Sequence, residues 1–278
     1  MQATLETSRV PAAWIRIVHL LTTPRAARLT APILIIVTWQ LVAPLIGSTL
    51  LPMPIDVLEE FIDLAIEGTV WSAFAISFVR LGIGLALAVV IGVVVGLLLG
   101  LSPRAEAFAH DFLVIGLTFP YLIWGIIVSM WFGFGDAGPI LVVFIAAVPY
   151  VIVNMAEGVR DAPRDLIDMA RSYDAPRLRV IRQVVVPSLS PFFFAALRYG
   201  LANGWKGLVL AEVFAATSGA GWEIAGMRDI GNASGVVAYA LYFAFFSILV
   251  ERLVFGRLSD WVFRWRPRRP EAARAVNA

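Results

Sequence analysis

Long apolar runs recur along the whole chain and are its strongest pattern. Six of them are long enough to cross a bilayer as helices, which takes about 20 residues each. They fall at about 29–49, 72–101, 108–131, 138–158, 190–214 and 233–254. The runs are continuous and do not alternate with polar residues, which excludes the strands of a membrane barrel. The pattern predicts an all-α integral membrane fold with about six transmembrane helices.

The second run carries glycines at four-residue spacing, Gly92, Gly96 and Gly100. Small residues at this spacing let two helices approach closely in lipid. Because glycine is common in membrane helices, the spacing indicates helix bundling and does not identify a site.

Basic residues lie almost entirely on one side of the predicted helices. Arginines cluster within 9–28, at 104, within 160–182 and within 252–274, whereas the segments on the other side carry only Arg228. The segment 50–70 on that other side is purely acidic in its charges. Because short basic segments stay in the cytoplasm, the sequence predicts that both termini are cytoplasmic.

This orientation divides the chain into three parts. The first is a cytoplasmic N-terminal segment (1–28), the second a transmembrane domain (29–255) and the third a basic cytoplasmic tail (256–278). The N-terminal segment has no cleavage-like site of a signal peptide, so we expect it to be retained. A surface-lying amphipathic helix is expected at about 14–21.

The composition agrees with a membrane protein and narrows its chemistry. The chain is 60% hydrophobic and 15% charged, and its mean hydropathy is +0.83. The absence of cysteine excludes disulfides and thiolate metal sites. The two histidines, His19 and His110, are isolated and do not have metal-ligand spacing. Without a phosphate-binding loop motif the chain cannot hydrolyse ATP alone. We therefore expect no catalytic residue, no metal and no cofactor.

A polar stretch at 161–187 interrupts the apolar runs and predicts two short amphipathic helices. Asp161 is expected to cap the first helix, with Pro163 in its first turn. Its apolar face consists of Leu166, Ile167, Ala170 and Tyr173. Pro176 disfavours helix at Ala175, and Asp174 is expected to cap the second helix. The apolar face of the second helix consists of Leu178, Ile181, Val184 and Val185, and Pro187 and Pro191 are expected to mark the entry into the fifth span.

The spacing in this stretch resembles the cytoplasmic loop of ABC-importer permeases, Glu-Ala-Ala, three residues, Gly, nine residues, Ile-x-Leu-Pro. Asp168, Met169 and Ala170 stand at the first three positions, Asp174 at the glycine and Pro187 at the proline. The resemblance extends from about residue 70 to the end through stretches such as TFPYLIWGIIVSMWFGFGDAG and LRYGLANGWKGLVLAEVF. Together these are similar to permeases of the nitrate/sulfonate/taurine group.

The resemblance implies a type I importer fold in the bacterial inner membrane. Two permease subunits, expected to be copies of one chain, form the pore. Two ATPase subunits bind the ATP, and an extracytoplasmic binding protein delivers the solute. The loop at 159–189 would then couple the permease to the ATPase. The implied coupling residues are Asp168, Met169, Ala170, Arg171, Tyr173, Asp174, Ala175, Arg177 and Pro187.

Two residues depart from the family pattern, Asp168 at a glutamate and Asp174 at a glycine. The second departure bears on a left-handed turn between the two helices. Aspartate tolerates the left-handed conformation better than most residues, so we expect the helix-turn-helix to be kept.

Ionisable residues within the predicted spans are candidates for the substrate path, because an unpaired charge in lipid is costly. The candidates are Arg80, Arg198, Lys206 and Glu212, together with Trp205. Each has an alternative role. The arginines could pair with neighbouring helices, Lys206 could pair with Glu212, and Trp205 could serve helix packing. A cationic lining would suit an anionic solute such as a sulfonate, nitrate or a carboxylate.

Two further classes of protein stay open on the residues alone. An ion-gradient-driven secondary transporter should show inverted repeats with broken spans in matching positions, and no convincing repeat relates the two halves. A structural membrane protein would have no use for Arg80, Arg198 and Lys206 within its spans.

Overall fold

The computed structural model describes residues 24–47 and 51–256, and within them the chain is helical with short connections. The helices are α1 (Pro24–Ile46), α2 (Pro54–Glu67), α3 (Thr69–Leu101), α4 (Pro103–Thr118), α5 (Tyr121–Phe132), α6 (Ala137–Arg160), α7 (Arg164–Ser172), α8 (Arg177–Val180), α9 (Val186–Ala215), α10 (Ala220–Asp229) and α11 (Ala233–Val250). A π-helical turn, Ile181–Val185, joins α8 to α9, and a second one, Glu251–Gly256, follows α11. The amphipathic helix expected at 14–21 and most of the basic tail lie outside the described residues.

Four described helical segments are long and apolar enough to cross a membrane. They are α3, α6, the continuous helix Arg177–Ala215, and Ala233–Leu253. A fifth span results if α4 and α5 are counted as one bent span. The apolar part of α1, Thr30–Ile46, is shorter than these spans. By length and composition, the described part of the chain therefore supports four or five spans where the sequence predicts six.

The third predicted span, 108–131, is wrong as a single helix. It is split into α4 and α5, which meet at an angle of 95°. The break lies at Phe119 and Pro120, whose ψ angles of 131° and 127° are extended. Proline lacks the N–H that would continue the helix, and it disfavours helical backbone at the residue before it. The hydroxyl of Tyr121, the first residue of α5, donates a hydrogen bond to Asn203 Oδ1 at 3.0 Å.

The glycines of α3 lie at its closest approach to α6. A Cβ atom built on Gly92 would lie 2.7 Å from the side chain of Val151, and one on Gly96 would lie 2.7 Å from the carbonyl oxygen of Ile152. One on Gly100 would lie 2.6 Å from Val159 Cβ. The four-residue glycine spacing therefore does allow close helix packing, as predicted.

Segments predicted to share one side of the membrane meet in the structure. At the predicted outer end, Asn232 donates a hydrogen bond to Glu60 in α2 at 3.1 Å. At the other end, Arg160 pairs with Glu106. Most of the acidic segment 50–70 forms helix α2. This helix packs against α11 through the stacked rings of Phe61 and Tyr242. The bundle has two distinct ends, and the predicted coupling segment extends from the end of α6 opposite to α2.

Candidate functional site: the coupling segment and the charges in the spans

The segment predicted to couple to the ATPase, residues 159–189, begins where α6 ends and is called the coupling segment for that prediction. Asp161, expected to cap the next helix, instead terminates α6, because its N–H donates to the carbonyl of Glu157 at 2.9 Å. Helix α7 begins at Arg164 after Pro163, which occupies the N-cap position without a side-chain hydrogen bond. The predicted cap at Asp161 is therefore wrong. Proline before the first helical residue already fixes the chain there, so no aspartate is required.

Helix α7 ends in a left-handed turn at Asp174, whose φ is 50°. The Ala175 N–H donates to the carbonyl of Ala170 at 3.0 Å, and the Asp174 N–H donates to that of Arg171 at 3.0 Å. This pair of bonds is the Schellman motif, in which a left-handed residue closes the helix C-terminus. Asp174 thus keeps the conformation that glycine adopts most readily, as predicted.

The second role predicted for Asp174 is wrong. Helix α8 begins after Pro176, which holds its N-cap position, and no side-chain cap bond is made there. The carboxylate cannot act as an N-cap because two residues separate it from the first helical residue, Arg177. The turn therefore depends on the left-handed backbone conformation of Asp174 and not on the charge of its carboxylate.

The entry into the fifth span is continuous and does not restart at Pro187. The π-helical turn Ile181–Val185 carries α8 directly into α9, with the Val186 N–H bonded to the carbonyl of Ile181. Proline removes one backbone donor and clashes with the carbonyl four residues earlier. The wider π-helical turn lies where that clash would occur, so Pro187 sits in a continuous helix. Pro191 lies within α9.

The coupling segment exposes apolar side chains that nothing in the described chain covers. Leu166, Met169 and Tyr173 recur at helical spacing along one face of α7, and Tyr173 is 81% exposed. Leu178 in α8 is 76% exposed. Neither helix has a single buried residue. Exposed apolar residues grouped in this way mark an interaction surface.

A groove of about 680 Å³ separates the two short helices. Ile167 and Arg171 line it from α7, and Arg177 and Val180 line it from α8, with Asp174 and Ala175 at the turn. Asp168 lies outside the groove, with its carboxylate 3.4 Å from Arg171 Nη1. Of the predicted coupling residues, the structure places Arg171, Asp174, Ala175 and Arg177 around the groove, and Pro187 lies beyond the π-helical turn.

Arg80 and Glu212, two of the predicted path residues, are buried in one polar network at the outer end. Arg80 Nη1 donates to Glu212 Oε1 at 2.9 Å and to the carbonyl of Ser218 at 2.6 Å. Arg80 Nη2 donates to Asp136 Oδ1 at 2.5 Å and to Ser218 Oγ at 2.8 Å. The remaining donor, Nε, bonds to the same Asp136 oxygen at 2.9 Å. Every N–H group of the guanidinium thus has an acceptor.

The Glu212 carboxylate is equally well partnered. The Ser77 hydroxyl donates to it at 2.8 and 2.9 Å, and the Gly221 N–H donates at 2.9 Å. Ser77 Oγ also accepts from the Ala220 N–H at 2.9 Å. Arg80 is 2% exposed and Glu212 is 0% exposed. The geometry therefore supports the pairing role weighed for Arg80 and makes Arg80 the ion-pair partner of Glu212. It gives no support to a place of either residue in the substrate path.

Lys206 lies elsewhere, on the exposed side of α9. The ion pair between Lys206 and Glu212, the alternative weighed for Lys206, is not formed, because Glu212 is bonded to Arg80. In the described part of the chain, Lys206 makes no hydrogen bond or ion pair. Arg198, two turns earlier on the same helix, is exposed and pairs with Glu251 after α11.

Trp205 belongs to an aromatic cluster between α9 and its neighbours. Its ring lies 5.2 Å from that of Phe78 and 5.5 Å from that of Phe243. This arrangement is the helix-packing role weighed for Trp205. Ser77, Asp136 and Ser218 were missed by the sequence analysis, since serines and a loop aspartate give no signal until the fold places them beside Arg80.

Comparison with known proteins identifies the family. The family described as "Binding-protein-dependent transport system inner membrane component" matches residues 88–255. The putative aliphatic sulfonates transport permease protein SsuC of Escherichia coli (strain K12) is 31% identical over 247 residues, covering 87% of this chain and 93% of that protein. The taurine transport system permease protein TauC of Escherichia coli (strain K12) is 31% identical over 234 residues, covering 81% and 84%.

A further relative and a solved structure are also similar to this chain. The nitrate import permease protein NrtB of Synechococcus elongatus is 30% identical over 243 residues, covering 81% of this chain and 86% of that protein. An inward-facing structure of the MetNI methionine ABC transporter matches with a TM-score of 0.57 at 20% identity, covering 70% of this chain and 94% of that one. At that identity the likeness shows the fold alone. The family favours an importer over the ion-gradient-driven transporter that the sequence left open. The chain belongs to the binding-protein-dependent inner membrane components, and it is the non-catalytic, multi-pass permease subunit of an ABC importer.

Proposed function

We propose that the segment 159–189 seats on an ATPase subunit of the importer and transmits its movements to the permease. The observation that carries this proposal is the exposed apolar face of α7 and α8, with Tyr173 and Leu178 as its most exposed members. An apolar face at the end of the bundle is stabilised when a protein partner covers it, because removing apolar surface from water is favourable.

The segment is suited to move as one piece with the bundle. Its second helix continues without interruption through the π-helical turn into α9, so a displacement of α8 is carried directly along a helix of 39 residues. The Schellman turn at Asp174 fixes the first helix to the second. In the groove between them, Arg171 and Arg177 offer two guanidinium groups to acidic side chains of the partner.

The solute path is proposed to run along the exposed face of α9, between this chain and a second copy of it. Arg198, Tyr199, Ala202 and Lys206 lie on that face at helical spacing. A lysine within a span is costly in lipid and stable beside water or another protein. A second copy placed against this face would enclose Lys206 in a polar path, and this favours a homodimer.

The proposed solute is a small molecule with an anionic group, such as an alkanesulfonate, taurine or nitrate. The support is twofold. Relatives of 30–31% identity are named as sulfonate, taurine and nitrate permeases. The exposed face of α9 carries Lys206, a cation without an ion-pair partner among the described residues. A cation attracts anions without selecting among them, so the solute-binding protein is proposed to set the specificity.

The proposed topology follows the arginine distribution, with both termini and the coupling segment in the cytoplasm. ATP is then bound by the ATPase partner, and the binding protein delivers its solute to the opposite end of the bundle. A cytoplasmic position of 159–189 is what its contact with an ATPase requires.

Reconstitution tests the proposal. The permease is co-purified with its ATPase, inserted into proteoliposomes, and supplied with the cognate binding protein outside and ATP inside. Labelled taurine, an alkanesulfonate, nitrate, an organic cation and a sugar are then offered separately. We expect ATP-dependent uptake of at least one anion and none with a non-hydrolysable ATP analogue. Uptake driven by an ion gradient without ATP would contradict the coupling, and ATP-dependent uptake restricted to cations or sugars would contradict the solute class.

A further inference from the structure

The outer end of the bundle contains a stretch of irregular backbone, residues 216–219, between α9 and α10. Gly219 there has a φ of 101°, and a Cβ atom on it would meet both Glu212 Oε1 and Arg80 Nη1. Side-chain packing alone cannot hold such a stretch, because its N–H and C=O groups are not paired within a helix. Near lipid, each unpaired group is destabilising by several kcal/mol, on the order of 2–7.

The side chains of the polar network supply hydrogen-bond partners to backbone groups of this stretch and of the first residues of α10. Arg80 donates to the Ser218 carbonyl oxygen, Ser77 Oγ accepts from the Ala220 N–H, and the Glu212 carboxylate accepts from the Gly221 N–H. Helix α10 has Gly219 at its N-cap position, which has no side chain to cap it. Glu212 and Ser77, from two other helices, take over that role, and a carboxylate is the favoured charge at a helix N-terminus.

The network also joins three separate parts of the outer end. Ser77 and Arg80 come from α3, Glu212 from the last turn of α9, and Asp136 from the turn before α6. Asp136 is 74% exposed on its side chain, so the network reaches the outer surface. A buried ion pair is weak evidence for stability, because apolar residues of similar volume often stabilise as well or better. Apolar residues, however, could not form hydrogen bonds with the backbone N–H and C=O groups of 216–221.

We propose that Ser77, Arg80 and Glu212 form an outer clamp, and that they are positioning residues for solute delivery. The clamp holds residues 216–221 and α10 in the pose that receives the binding protein. This inference rests on the proposed function, since delivery by a binding protein is part of it. Loss of the clamp loosens the receiving surface and leaves the ATPase contact, at the opposite end of the bundle, unchanged.

The chain has no native cysteine, so the pose of the clamped stretch can be probed with single cysteines and a membrane-impermeant maleimide. Ala216→Cys reports on closure, because Ala216 is buried at 1% exposure. Thr217→Cys, at the adjacent exposed position, is the labelling control. Each reporter is combined with Glu212→Gln, with Ser77→Ala, and with Asp229→Asn. Asp229→Asn is a carboxylate-to-amide control for the labelling, since Asp229 lies outside the clamp and, among the described residues, its carboxylate pairs with Arg228.

Glutamine cannot replace Glu212, because one of the two carboxylate oxygens becomes an NH₂ group facing N–H donors from Arg80 or Gly221. We expect Ala216→Cys to react at least tenfold faster in both clamp variants, and Thr217→Cys to react equally in all. In the reconstituted complex, the concentration of binding protein that half-maximally stimulates ATPase should rise about tenfold. The maximal stimulated ATPase rate and the basal ATPase rate should both stay within about twofold of the wild-type rates. Asp229→Asn should leave the labelling of Ala216→Cys at the wild-type rate.

The proposal is overturned if both clamp variants leave the labelling of Ala216→Cys and the half-maximal concentration unchanged. It is also overturned if they lower the basal rate and the maximal rate together, which would indicate general loss of structure. If Glu212→Gln does not assemble, Ser77→Ala decides alone, since it removes a single hydroxyl group. A wild-type permease that fails to bind any ATPase would instead overturn the proposed function, so the two failures are distinguishable.

Discussion

The turn at Asp174 yields the sharpest prediction about coupling. Its φ of 50° lies in the left-handed region, where a residue with a Cβ atom is destabilised by roughly 1–2 kcal/mol. Aspartate avoids part of that penalty and glycine avoids it altogether, whereas leucine bears it in full. Replacing Asp174 by leucine therefore destabilises the turn by about 1 kcal/mol or more relative to aspartate, and by up to about 2 kcal/mol relative to glycine. Differences of 1–2 kcal/mol change an equilibrium by a factor of about 5 to 30.

The assay is the number of solute molecules imported per ATP hydrolysed in proteoliposomes. We expect Asp174→Gly to preserve this ratio and Asp174→Leu to lower it about fivefold or more, because the groove face of α7 is no longer fixed to α8. Asp165→Leu is the matched control, since it also removes an exposed carboxylate from the same segment but lies in ordinary helix. If Asp174→Gly were as damaging as Asp174→Leu, the carboxylate itself would be needed and the conformational reasoning would be refuted. Wild-type coupling in Asp174→Leu would refute it as well.

Three further predictions concern other parts of the chain. Lys206→Met should lower anion import severalfold, with Lys206→Arg retaining most of it, while complex assembly measured by co-purification is unchanged; unaltered import would remove Lys206 from the path. Gly96→Leu should destabilise the permease by more than the 1–3 kcal/mol typical of overpacking, because its Cβ alone would lie 2.7 Å from the carbonyl oxygen of Ile152. Thermal unfolding in detergent checks this against Gly82→Leu, where the space is open and little change is expected. Met169→Asp should weaken ATPase binding tenfold or more by placing a charge on the exposed apolar face, and binding at wild-type strength would exclude that face from the interface.

The sequence predicts the spans and the position of the coupling helices because hydropathy and periodicity are local properties. It is least reliable where two local rules compete. The apolar run at 108–131 reads as one span, yet the Phe119–Pro120 step breaks it, because backbone geometry prevails over hydropathy at a proline. Likewise, the two aspartates expected as helix caps, Asp161 and Asp174, are each followed two residues later by a proline that occupies the N-cap position instead.

Side-chain partners across the bundle are not predictable in the same way. Arg80 and Glu212 are 132 residues apart in sequence and meet only because α3 and α9 pack together at the outer end. The sequence does contain one unused clue about Lys206. Lys206 and Glu212 differ by six positions, which places the two side chains about 120° apart around a helix of 100° per residue. Spacing alone therefore disfavours the ion pair that the structure does not contain.

The most direct test of the central claim is a site-specific crosslink from the coupling segment to the ATPase. Ser172→Cys lies beside the exposed face of α7, and Thr217→Cys lies at the opposite end of the bundle. With a short heterobifunctional crosslinker in membranes that contain the assembled importer, the account predicts a permease–ATPase product from position 172 and none from position 217. Absence of the product at 172 in a complex that co-purifies with its ATPase, or equal products from both positions, would contradict the account.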